Sequence, residues 1–418
     1  MNYFLRQILA LLVIVALGHA CQSEHPSADA ALSARDILGK PGYLAISYGG
    51  YRDRSRDVQP TLGQLKEDLR ILHAMRVRIL RTYNTKLAEA SNLLKAIREL
   101  KAENPGFEMY VMLGAWIDCK DAWTDHPDHS AEDAEANAAE IRRAVELTRQ
   151  YPDIVKIIAV GNEAMVKWAS AYYVQPGVIL KYVNQLQELK QQGQLPADLW
   201  VTSSDNFASW GGGGAEYHVE DLTSLMKAVD YISMHTYPMH DTHYNPDFWG
   251  ISPAEATLSK TEKIHAAMRR ARDYAIAQYH SVVDYMHSLG IDKPVHIGET
   301  GWASASNGFY GIDGSKACDE YKQGLYYDMM REWTNSEGIA CFYFEAFDEI
   351  WKDAANPGGS ENHFGLFTID GKAKYALWNL VDEGTFEGLG RNGKPVEKTY
   401  DGNEQLLLEE VADPPING

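Results

Sequence analysis

The chain has 418 residues, 45% apolar and 11% aromatic, and its 39 Lys and Arg against 58 Asp and Glu give a formal net charge of −19. A balance of that sign excludes nucleic acid and anionic bilayers as electrostatic partners, since both reward Lys and Arg density. A charged fraction of 23% with 24 Tyr and 10 Trp excludes a disordered chain, and the length accommodates one α/β barrel with insertions.

In chain order, Arg6 precedes an apolar run from Ile8 to Leu17, and the small residues Gly18 and Ala20 precede Cys21. This is the pattern of a signal peptide over residues 1–20, too short for a permanent membrane span. Cys21 stands where a bacterial lipoprotein carries its lipid. The expectation is export, as an outer-membrane or cell-surface lipoprotein in preference to a periplasmic or secreted protein, with the membrane met only through a lipid on Cys21. Residues 21–38 read as a tether. Of Cys119, Cys318 and Cys341, at most one pair can be bridged, and Cys341 reads as a buried core thiol.

Eight short β-rich runs follow: Gly42 to Ser47, Val77 to Arg81, Glu108 to Leu113, Val155 to Val160, Leu199 to Ser203, Asp230 to Met234, Pro294 to Gly298 and Ile339 to Glu345. Between them lie stretches of helical period: Thr61 to Met75, Leu87 to Glu103, Asp133 to Gln150, Pro176 to Gln192, Ser259 to Leu289 and Asp319 to Asn335. Alternation of this kind, with strands apolar on both faces, predicts a (β/α)8 TIM barrel over residues 39–385. No glycine-rich phosphate motif supports a nucleotide fold, and Gly211 to Gly214 read as a flexible loop tip. Insertions at Trp116 to Ser130, His240 to Leu258, Ala303 to Cys318 and Trp351 to His363 all follow strand C-termini, so extended loops belong on that face of the barrel. Residues 386–418 lose periodicity and read as an extended tail.

The fourth run ends Val160-Gly161-Asn162-Glu163 and the seventh Gly298-Glu299-Thr300-Gly301, placing one glutamate each at roughly opposite sides of the barrel mouth. Two carboxylates about 5 to 5.5 Å apart serve a retaining glycosidase, one as nucleophile and one first as acid, then as base. Asn162 can donate to a sugar 2-hydroxyl, and Tyr237 can supply a donor that keeps Glu299 ionised. The roles then divide as Glu163 acid/base and Glu299 nucleophile. His235, His240 and His243 lack the helical spacing of a metal motif. No cofactor or metal is expected, and His235 reads as a subsite hydrogen-bonding residue.

The strings AISYGGY, RTYNT, IIAVGNEA, HTYP, IGETGWAS, FYFEAFDEIWK and ENHFGLFTIDGKAKY, in this order from Gly42 to Tyr375, resemble glycoside hydrolase family 17, the β-1,3-glucanases. The resemblance implies a retaining (β/α)8 enzyme with Glu163 as acid/base and Glu299 as nucleophile. It places Glu349, Lys352 and Glu361 in a polar cluster after the eighth strand, and Tyr48, Tyr83, Asn162, Tyr237 and Phe347 along the subsites. Trp302, inside IGETGWAS, and Trp116, in the insertion after the third strand, complete the expected sugar contacts. This chain departs from the plant enzymes in its longer insertions, where Trp116, Trp123, Trp210, Trp249 and Tyr310 could lengthen the cleft or close one end. The implied partner is a β-1,3-glucan of laminarin type, cleaved endo-fashion. A transglycosylase, an exo-acting enzyme and a non-catalytic surface glycan-binding lipoprotein stay open as alternatives.

Overall fold

All eight runs become strands of one sheet: β1 (Leu44–Ser47), β2 (Val77–Arg81), β3 (Tyr110–Ala115), β4 (Val155–Asn162), β5 (Trp200–Asn206), β6 (Ile232–His235), β7 (Val295–Gly301) and β8 (Cys341–Phe344). Each pairs in parallel with its neighbour in sequence, and β8 pairs with β1, Ala45 opposite Phe342, so the sheet closes. Parallel pairing requires a crossover between strands. It is supplied by α1 (Leu62–Ala74), α2 (Ala88–Glu103), α3 (Ala134–Gln150), α4 (Pro176–Gln191), α5 (Glu220–Ala228), α6 (Lys260–Ser288) and α7 (Glu320–Glu337). The computed structural model describes residues 32–416, and within them the expected (β/α)8 barrel is present. The signal peptide, Cys21 and the tether up to residue 31 lie outside the described residues.

Continuous apolar runs make the strands because both strand faces are covered, one by the barrel interior and one by the helices. All of β3 and all of β7 are buried. On α1, Leu65, Leu69 and Leu72 recur at helical spacing and are fully buried, and Thr61 caps its first turn by accepting from Gln64 N–H at 3.3 Å. Cys119, Cys318 and Cys341 are free, and Cys341 is buried as expected.

Three expectations are corrected. Residues 34–38, assigned to the tether, form a helical turn whose Ala34, Ile37 and Leu38 are buried, so they belong to the packed domain. The glycine run is no flexible tip: Gly211 has φ +90° and is buried, and a Cβ there would lie 2.0 Å from the ring of Tyr285 on α6. Only glycine permits that approach. The segment expected as an extended tail over 386–418 is folded through its described residues up to 416, since Gly390–Arg391 pairs antiparallel with Lys394–Pro395, and Glu404–Glu410 is helical. Phe386, Val396, Leu407 and Val411 bury their side chains, and Arg391 is wholly enclosed against Asp68 of α1. Scattered apolar residues with one buried ion pair hold this segment without any regular period.

Candidate active site

β4 runs into Glu163, whose φ of +45° lies in the left-handed region that costs a non-glycine residue about 1–3 kcal/mol. Neighbouring hydrogen bonds hold the turn. Glu163 N–H donates to Ser204 O at 3.0 Å, and Met165 N–H donates to Asp205 Oδ2 at 2.7 Å. Asp205 is fully buried, which pushes its pKa up to about 6 against the pull of Ser209 O–H and Met165 N–H. The Glu163 side chain is 26% exposed, with Oε1 3.1 Å from Nδ1 of His235. The other imidazole nitrogen lies 2.8 Å from Ser204 Oγ.

Glu299 projects from β7 beside Gly298, where a Cβ would sit 2.0 Å from Ser233 Oγ and 2.5 Å from Ser204 Oγ. Glycine here lets the barrel interior close under the glutamate. Glu299 Oε2 accepts from Arg81 Nη1 and, at 3.0 Å, from Tyr83 O–H, while Oε1 accepts from Tyr237 O–H at 2.5 Å. Arg81 Nη1 also donates to Gly298 O at 2.8 Å, and its Nη2 donates to Asn162 Oδ1. One buried guanidinium thus links Glu299 to the residue preceding Glu163. Burial alone would raise the Glu299 pKa, but the charge of Arg81, then His235 and the two phenols, hold it below the ordinary glutamate value.

Both glutamates line one cleft of about 770 Å³ with Trp168, Phe207, Tyr244, Tyr310 and Phe364 on its walls. An ionised, triply hydrogen-bonded carboxylate sharing a cleft with a second, more open one among aromatic rings suits nucleophilic attack assisted by proton transfer on a ligand with apolar faces. After β8, Glu349 Oε1 accepts from Tyr51 N–H at 3.2 Å, and Lys352 Nζ lies 2.5 Å from Glu345 Oε2 and 3.3 Å from Glu349 Oε2. Glu361 stands apart on the cleft wall, 3.9 Å from His240 Nε2. The three histidines serve different ends: His240 stacks on Tyr237 and His243 on Phe309.

Tyr83 and Tyr237 bond to Glu299 and Asn162 adjoins Glu163, whereas Glu349 and Lys352 pair with each other and bond to Tyr51 and Glu345. Four other residues expected at subsites lie beneath the surface. Tyr48 is 1% exposed and donates to Asp68 at 3.0 Å, because β1 turns its ring inward. Phe347 stacks on Phe367 in the core. Trp302 is enclosed between Trp249 and Tyr326 and donates to Ala317 O. His235 is fully buried and touches Glu163 rather than open space. Trp116 is half-buried beside Trp123 and Tyr172. Sequence reasoning missed Arg81, Asp205, Tyr172 and Trp168. The arginine that closes Val-Arg-Ile-Leu-Arg, on the opposite strand face from Arg78, was the available signal for the first.

Residues 45–365 match the BtgE/BtgC glycoside hydrolase domain. A solved endo-laminarinase from Formosa Hel1_33_131 is 66% identical, with a TM-score of 0.92, over 93% of this chain and 98% of that one. A glucan 1,3-beta-glucosidase of Arthroderma benhamiae is 25% identical over 283 residues, covering 66% of this chain and 72% of its own. The btgC protein of Aspergillus niger is 24% identical over 311 residues, 72% of this chain, which spans 37% of that longer protein.

Proposed function

The chain belongs to the BtgE/BtgC glycoside hydrolase domain family, and from that premise we propose that it cleaves β-1,3-glucan internally, by a retaining double displacement. The observation that carries the reading is the cleft lined by both Glu299, held ionised by Arg81, and the more open Glu163. Glu299 attacks the anomeric carbon while Glu163 protonates the departing glycosidic oxygen, giving a glycosyl-enzyme. Glu163 then removes a proton from water, which attacks the same carbon, breaks its ester bond to Glu299 and releases the sugar with the starting anomeric configuration. His235, fixed by Ser204, holds the Glu163 carboxyl in place.

The β-1,3 linkage and endo mode rest on the likeness to the Formosa endo-laminarinase, 66% identical over nearly the whole of both chains. The N-terminal pattern of Arg6, an apolar run and Cys21 supports export, with a lipid on Cys21. Rates on laminarin test the pair of glutamates. Glu299→Gln and Glu163→Gln each lower kcat by about 10³-fold or more with KM little changed. Wild-type rates in either variant contradict the assignment.

A further inference from the structure

The insertion after β3 builds something the two glutamates do not use. Trp123 is 61% exposed, and its backbone sits at φ +64°, a conformation costly for a bulky residue. Its ring lies on Tyr172, centroids 4.8 Å apart and planes 19° from parallel, and Trp116 packs against both. Both indole N–H groups donate to the same oxygen, Asp118 Oδ1, at 2.6 Å from Trp116 and 3.3 Å from Trp123. The scaffold is stitched to its surroundings: Trp123 N–H donates to Ala171 O at 2.8 Å, Cys119 N–H to Tyr172 O at 3.0 Å, and Asn137 brackets the Asp118 backbone. An aromatic packing its own loop would hide its area. This one is held outward at a backbone cost.

We infer that the outer face of Trp123, backed by Tyr172 and Trp116, is a stacking subsite for one glucose ring of a β-1,3-glucan that continues past the glutamates. The inference rests on the hydrolase reading and extends it along the chain. Continuity comes through the loop that follows β4: it carries Glu163 and Trp168 on the cleft wall and then Tyr172, and it is closed by Val174 N–H donating to Ala164 O at 2.7 Å, with Tyr172 N–H donating to Ala169 O at 2.9 Å. The ligand is a neutral sugar. The C–H faces of a β-glucose ring present apolar surface to an indole, and a chain of net charge −19 repels sulfated or uronic glycans. The rigid mount lowers the entropy lost when a sugar docks.

The test compares Trp123→Ala and Trp123→Tyr with wild type on laminarihexaose and laminaritriose. Because Trp123 is mostly exposed, both variants keep the wild-type melting temperature. The expected result is about a tenfold loss of kcat/KM on the hexaose for Trp123→Ala, carried by KM, with the triose within about twofold and the tyrosine variant recovering most of the loss. Unchanged hexaose kinetics, or an equal loss on both substrates, overturn the subsite while leaving the hydrolase reading in place. A wild-type protein that cuts neither substrate overturns both.

Discussion

Arg81 sets the charge of Glu299 and reaches Asn162 beside Glu163, so it couples the two sides of the site through one buried cation. Removing that cation disfavours the ionised carboxylate, so the Glu299 pKa rises. The proposed nucleophile must be ionised to attack, so activity falls as pH drops through the Glu299 pKa, and the acid limb of kcat/KM is predicted to move to higher pH in Arg81→Gln. The check is a pH–rate profile on laminarin, and a limb that stays in place contradicts the role given to Arg81. The glutamates themselves were legible because each closes an apolar run and stands within two residues of a glycine. Tyr48, Trp302 and Phe347 were not, since an aromatic near a strand end turns inward or outward according to packing that no local spacing records. Arg81 was hidden for the opposite reason: arginine on a strand reads as a solvent-facing residue until a buried carboxylate is seen beside it.

At the scale of elements, all eight strands and six of the outer helices are legible from period alone, because a closed parallel sheet buries both strand faces. The nine-residue α5 escaped detection, being too short for its period to stand out. The glycine segment after β5 escaped for another reason. Its meaning lies in Tyr285, more than seventy residues on, whose ring occupies the space a side chain at 211 would need. Gly211→Ala therefore costs roughly 2–4 kcal/mol, from a left-handed backbone plus a clash with a ring that is itself packed on His218. Thermal or urea denaturation measures it. A variant within about 0.5 kcal/mol of wild type shows that the segment yields freely, as a loop tip does.

Across the whole molecule, the C-terminal segment braces the active face from behind. Arg391 meets Asp68 through two nitrogens at 2.9 and 3.2 Å, lies 4.1 Å from the Phe347 ring centre, and shares Asp68 with Arg52 and Tyr48. Phe347 precedes Glu349 by two residues, and the loop bearing Tyr48 and Arg52 also supplies the Tyr51 N–H that holds Glu349. Arg391→Ala leaves Asp68 with Arg52 as its remaining guanidinium but removes two charge-assisted hydrogen bonds from a dry site, so a loss of roughly 1.5–3 kcal/mol in stability and a higher KM for laminarin are expected. Lys394→Ala in the same hairpin, at a side chain 61% exposed, changes neither. Denaturation curves and initial rates on the two variants separate these outcomes. Sequence could not reveal this brace because its partners lie 323 positions apart and share no motif. The central claim, a covalent step on Glu299, is tested most directly by trapping the enzyme with an activated 2-deoxy-2-fluoro-β-laminaribioside and mapping the labelled peptide by mass spectrometry. A fluoroglycosyl adduct on Glu299 is the predicted result. An adduct on Glu163, or hydrolysis of laminarin that inverts the anomeric centre, contradicts it.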